Sequence, residues 1–256
     1  MSARFVTILV IATTAACGLG ITGAASDVAS SDAGPGGADL ADSGLELDAG
    51  SVPADANDGV DDAPDAGVNG LTLTTTTPGS ELALDVEGTA GWAHWGLNAN
   101  TNAYNQHAGF VGAIPTFQVA VPSGGINLRT MSDSRIKITW SQGTPTEESQ
   151  GTLHGVYSRD SRVTFTLGVP LTPKTSELVL YAGLHRARAE LVVTLGEGDD
   201  AIVRSATFDF ASGNADYRFA LAHHVTTDTP LTIRWTMLQK YDQGNSNVTL
   251  IAATLR

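Results

Sequence analysis

Beyond Pro78-Gly79, apolar residues recur at every second position, and that period decides what the chain can fold into. Ile136, Ile138 and Trp140 alternate with Lys137 and Thr139, and Val163, Phe165 and Leu167 with Thr164 and Thr166. Leu231, Ile233, Trp235 and Met237 alternate with Thr232, Arg234 and Thr236. Leu82, Leu84 and Val86 follow the same rule, as do Tyr217, Phe219 and Leu221. A strand turns successive side chains to opposite faces, so each of these segments has one dry face and one wet face. Trp140 and Trp235 keep step with the aliphatic residues around them and are expected in the core. Leu178–Gly183, Leu191–Leu195 and Val248–Leu255 are apolar on both faces or carry small alanines, as central strands do. No window here sustains a helical period. The spacing predicts roughly ten to twelve strands in some 180 residues. It points to an all-β fold, a two-sheet antiparallel jelly-roll sandwich over residues 71–256. The run GEGDD, Gly196 to Asp200, reads as a hairpin loop.

Charge separates this part from what precedes it. The formal net charge is −13, but residues 26–69 hold 11 of the 27 acidic residues and no Lys or Arg, while residues 70–256 carry a net of only −3. The acidic stretch is built from Ala, Asp, Gly, Ser and Pro, without aromatics. Such a composition buries too little apolar surface to offset chain entropy, which predicts a disordered linker over residues 18–70. As a coil, residues 26–69 would span roughly 35–40 Å, a suitable tether. Its run DANDGVDDAPD, Asp55 to Asp65, resembles a calcium loop only in composition. One residue is missing before Gly59, and no Glu stands where the bidentate ligand belongs. No metal or other cofactor is expected. Nucleic acid is excluded as a partner, because backbone binding needs clustered cations.

The single cysteine, Cys17, rules out an internal disulfide. It ends a segment, residues 1–17, with a positive start at Arg4 and an apolar run from Phe5 to Ile11. That order is an export signal rather than a membrane span. The stretch TAACG, Thr14 to Gly18, resembles the bacterial lipoprotein box, with Thr14 where Leu is usual. The resemblance implies a lipidated Cys17 and a place at the bacterial cell envelope. Cleavage after Gly23-Ala24-Ala25, releasing a secreted protein, is the alternative.

The stretch GTAGWAHWGLN, Gly88 to Asn98, concentrates two of the four tryptophans. On a strand, Trp92 and His94 share one face and Trp95 takes the other. Either both rings are core, or one fills the core while the other stands at a rim as a sugar-stacking platform. In the second case Trp95, which adjoins Asn98, Asn100 and Asn102, is expected to be the exposed ring. His94, Tyr104 and Asn105 complete that candidate ligand-binding set.

Several segments together resemble, in order, a β-sandwich accessory module of secreted bacterial proteins. They are GWAHWGLN, TWSQGTPT from Thr139, GVY at Gly155 to Tyr157, SELVLYAG from Ser176, LTIRW from Leu231 and NVTLIAATL from Asn247. The match covers about Ser80 to Arg256. Gly91 stands where that module tends to have Asp, and Gln106-His107 replaces a basic pair. The resemblance implies the fold and, beyond it, carbohydrate binding.

Three functions are compatible with these features. The first is a non-catalytic, surface-anchored lipoprotein that binds a polysaccharide or another envelope component. The second is an adhesive module without a small ligand. The third is a jelly-roll polysaccharide lyase, for which His223, His224, Tyr217 and Arg129 are the raw material. No HExxH, GxSxG or phosphate-loop pattern is present, and no catalytic residue is assigned. An exposed Trp92 or Trp95 would favour the first function, and a groove lined by His, Tyr and Arg the third.

Overall fold

The computed structural model describes residues 69–122 and 124–256. The expected signal segment, Cys17 and most of the linker lie outside them. Fifteen strands run in the order β1 Gly70–Thr76, β2 Glu81–Ala83, β3 Gly91–Trp95, β4 Tyr104–His107, β5 Gln118–Ala120, β6 Leu128–Met131, β7 Lys137–Trp140 and β8 Gly143–Thr144. They continue as β9 Ser149–Thr152, β10 Gly155–Ser158, β11 Thr164–Leu171, β12 Glu177–Leu195, β13 Ile202–His224, β14 Thr229–Lys240 and β15 Asn247–Leu255. One short helix, α1 Leu84–Glu87, follows β2.

The chain is the expected all-β, antiparallel two-sheet jelly-roll sandwich, but its sheets are unequal. Twelve strands form one large sheet, and β2, β7 and β9 form a second sheet of three. One pair departs from the antiparallel rule, since β2 lies parallel to β7. The alternation read through Leu82, Leu84 and Val86 does not hold. The strand ends at Ala83, α1 begins at Leu84, and Val86 is 77% exposed. Turning the chain here sends Asp85 inward, where it accepts hydrogen bonds from Trp92 Nε1 at 2.9 Å and from the Ser141 N–H at 2.6 Å. The other alternating segments keep their predicted faces: Trp140 and Trp235 are buried, and GEGDD joins β12 to β13.

The long hairpin β12–β13 holds the large sheet together. Its first half, up to His185, lies beside β15, and its second half, from Ala187, beside β14. Between the halves the register slips by two residues, one residue of β12 and three of β13 being left unpaired, with Arg186 at φ 45° and Gly213 of β13 at φ 80°. The slip carries the inward face from Leu178, Leu180, Ala182 and Leu184 to Ala187, Ala189, Leu191, Val193 and Leu195. All nine join the main core with Trp95, Phe165, Phe219 and Trp235.

The outer face of the same strands changes character along its length. On β12, Val179 and Tyr181 point outward into a second core with Trp92, Ala220 and Ile251, and β7 together with the residue before it covers them with Ile136, Ile138 and Trp140. Two and four residues further along, the outward positions are Gly183 and His185. There the small sheet no longer covers the face, and the sequence turns polar.

Candidate functional site

Cross-strand pairing builds the site from two rows of side chains on that uncovered outer face. In the first row, Tyr157 of β10 faces Thr249 of β15, Thr249 faces Gly183 of β12, and Gly183 faces Asp216 of β13. Arg129 of β6 extends the row beyond Tyr157. In the second row, Asn247 faces His185 and His185 faces Asn214, while Arg159 lies two residues beyond Tyr157. Directly paired residues share a face, and all of these but Arg129 and Gly183 line one space. It is a cleft of about 370 Å³, walled along one side by Ser132, Asp133 and Ser134 on the way from β6 to β7.

Gly183 lies between Thr249 and Asp216 in the first row. A Cβ there would stand 2.7 Å from Asp216 Oδ1, 2.8 Å from the Ala215 carbonyl oxygen and 2.8 Å from Thr249 Oγ1, so the missing side chain is what lets Asp216 and Thr249 pack closely over this position. From the core side, Trp235 Nε1 donates to the Gly183 carbonyl at 3.3 Å.

Three polar atoms of the lining are buried without any hydrogen-bond partner: Arg159 Nε, Asn247 Oδ1 and Thr249 Oγ1. Each forfeits about 1–3 kcal/mol of hydration that the fold does not return. Other lining groups are held in place. His185 Nδ1 pairs with Asn214 Oδ1 at 2.5 Å, which leaves Nε2 free to face the cleft. The Arg159 guanidinium carbon lies 5.4 Å from the Tyr157 ring centroid. Burial raises the Asp216 carboxyl above the usual carboxylate range and Asp133 pushes the same way, against the opposing charge and backbone N–H of Arg135.

Trp92, His94, Trp95, Tyr104 and Asn105, singled out from sequence, lie outside this cleft. The expected exposed platform is absent: Trp92 and Trp95 are each 1% exposed, and His94 and Asn105 are buried. The physical reason is that β3 lies between β15 and β4, with a core on either side. Trp92 bonds to Asp85 and leans on Trp140 at 5.4 Å. His94 Nε2 donates to the His154 carbonyl at 3.1 Å, and burial holds its pKa down to about 4. Asn105 Oδ1 accepts from the Thr146 N–H. Tyr104 donates to the Ile114 carbonyl. Trp95 and Tyr104 do line a separate, mostly apolar groove of about 520 Å³ with Phe117, Val119 and Leu128, and there Trp95 Nε1 has no partner. That groove does not contain Trp92, His94 or Asn105.

The lyase candidates do not converge as a set. His223 is buried against the Leu221 carbonyl and the Thr175 hydroxyl, His224 points the other way, and Tyr217 stacks on Phe219 in the main core. Only Arg129 stands in a cleft row. The cleft nevertheless brings together a Tyr, an Arg and a His that sequence reasoning passed over: Tyr157, Arg159 and His185. The available signal was the change from Val179 and Tyr181 to Gly183 and His185 at alternate positions of a central strand.

No known family model and no curated protein matches this chain. Three solved structures resemble it in part. The enzymatically active domain of bacteriophage CBA120 tailspike protein 4 matches 55% of the chain at 10% identity and a TM-score of 0.37, and the match spans only 19% of that domain. The module TmCBM61 in complex with β-1,4-galactotriose matches 55% of the chain and 87% of its own length, at 10% identity and a TM-score of 0.33. Family 16 Carbohydrate Binding Module-2 matches 53% and 89% respectively, at 13% identity and a TM-score of 0.29.

Proposed function

We propose that the sandwich is a non-catalytic binding module that takes a saccharide in the cleft of about 370 Å³. One observation carries this reading: a donor (Arg159 Nε), an acceptor (Asn247 Oδ1) and a hydroxyl (Thr249 Oγ1) are buried and unpartnered in the lining of one cleft. A hydroxyl-rich ligand supplies both donors and acceptors to such a set, and the Tyr157 ring at its edge offers an apolar surface for a sugar face. The volume is in the range of small-molecule sites. A glycan array followed by calorimetry tests the proposal. Retention of a saccharide by the parent and its loss in Asn247→Ala supports it; equal retention by both refutes the site.

A second reading, polysaccharide cleavage, has one observation in its favour. Asn214 orients His185 with a free ring nitrogen in the same cleft as Tyr157 and Arg159. A base, a neutralising cation and a proton donor are what elimination needs. Chain shortening of a bound polysaccharide on incubation separates cleavage from binding.

We further propose, from the TAACG stretch, that the mature chain begins at a lipidated Cys17 and is held at the bacterial cell envelope. Acyl chains contribute about 0.8 kcal/mol per buried methylene, enough for firm anchoring when several are present.

A further inference from the structure

The cleft is electrically polarised, and from this we infer that its saccharide is acidic, with a carboxylate or sulfate seated at the β10 end. The inference rests on the saccharide reading above. Arg159 lies at that end with Nε buried and unpartnered. Among the described residues the ion pairs use Arg186, Arg218 and Arg256, so neither Arg159 nor Arg129 has a carboxylate partner. The acid next in sequence is already engaged: Asp160 Oδ2 accepts from the Asn127 N–H at 2.8 Å and from Ser158 Oγ at 2.9 Å. Arg129 donates Nε to Asn127 Oδ1 at 3.1 Å, which places a second cation in the row beside Tyr157.

The acids of the cleft belong to its other end. Asp216 lies three strands from Tyr157, about 14 Å at ordinary strand spacing, and Asp133 is close enough to Asp216 to disturb its titration. A guanidinium with an unused N–H is best matched by an oxyanion, because charge-assisted hydrogen bonds are about twice as strong as neutral ones. The Asp216 end accepts hydroxyl donors and sets two carboxyls, Asp216 and Asp133, against the one opposing charge of Arg135. The geometry therefore selects a saccharide with an anionic residue at the β10 end and a neutral residue at the Asp216 end, and it fixes the direction of the chain.

The test is calorimetry of residues 70–256 within the full chain against three probes: hyaluronan, which carries carboxylates on alternate residues; carrageenan, which carries sulfates and no carboxylate; and neutral galactan. At least one acidic probe should bind more tightly than galactan, and the arm that binds identifies the anion. Arg159→Gln should weaken that probe by about tenfold to a hundredfold, the worth of a hydrogen bond to a charged group. Arg159→Lys, which keeps the charge and loses the fork, should restore only part of it. Circular dichroism of both variants excludes unfolding as the cause. Galactan binding as tight as the acidic probes, and unchanged in Arg159→Gln, overturns the anion assignment while the saccharide reading stands. Failure of the folded parent to bind any of the three overturns the assignment together with that reading.

Discussion

Trp92 and Trp95, three residues apart on β3, fill different cores. Trp92 leans on Trp140 beneath the small sheet, and Trp95 meets Phe117 edge-on at 5.7 Å in the main core. Replacing either with Ala empties a site the size of an indole. Each variant should lose about 3–5 kcal/mol of stability by denaturant unfolding. If one of them unfolds at the parent's midpoint, that ring is not core.

His94 couples the fold to pH. Its imidazole is buried, stacked 5.1 Å from Trp140, and held neutral with its pKa lowered from 6.5 to about 4, chiefly by desolvation. Below pH 6.5 the unfolded chain takes up a proton that the folded chain refuses. This group's contribution is therefore intact above about 6.5 and is lost as pH falls toward 4, by about 3 kcal/mol in all. His94→Gln should flatten the stability profile across that window. A profile as steep as the parent's would assign the pH dependence to another group.

Gly183→Ala tests the packing of Asp216 and Thr249 in the cleft. The added Cβ meets Asp216 Oδ1, Thr249 Oγ1 and the Ala215 carbonyl oxygen inside 3 Å, so the two lining side chains must shift from their places in the cleft. Binding should fall more than tenfold, about 1.4 kcal/mol. Unchanged affinity by calorimetry would place the ligand elsewhere.

Cys17→Ala addresses the anchor. The variant should leave the membrane fraction and appear in soluble or unprocessed form on fractionation. A variant that sediments with membranes like the parent would show that Cys17 is not what holds it there.

Strand periodicity made most of the fold legible, because alternation reports burial directly: Val163, Phe165 and Leu167 sit where the pattern puts them. The turn at Leu84 was hidden, since its apolar spacing fits a strand equally well and only tertiary placement of Asp85 decides between them. The burial of both tryptophans followed from β3 lying beside β15, and the two-sided apolar run Val248–Leu255 signals such a central position, but pairing between distant segments cannot be read from either one alone. The cleft was illegible for a related reason. Tyr157, Gly183, Asp216 and Thr249 come from four strands with no spacing of their own, and they become a site only through register.

Thr249 offers the most direct test, because its hydroxyl is buried without a partner and serves the fold in no visible way. Thr249→Val keeps the β-branched shape a strand favours and removes only the polar group. With one sample measured by thermal unfolding and by calorimetry against the saccharide the parent retains, stability should hold or rise by about 1–2 kcal/mol, while affinity falls. Lower stability with unchanged affinity would contradict the account, because the hydroxyl would then belong to the fold and the cleft would not be the binding site.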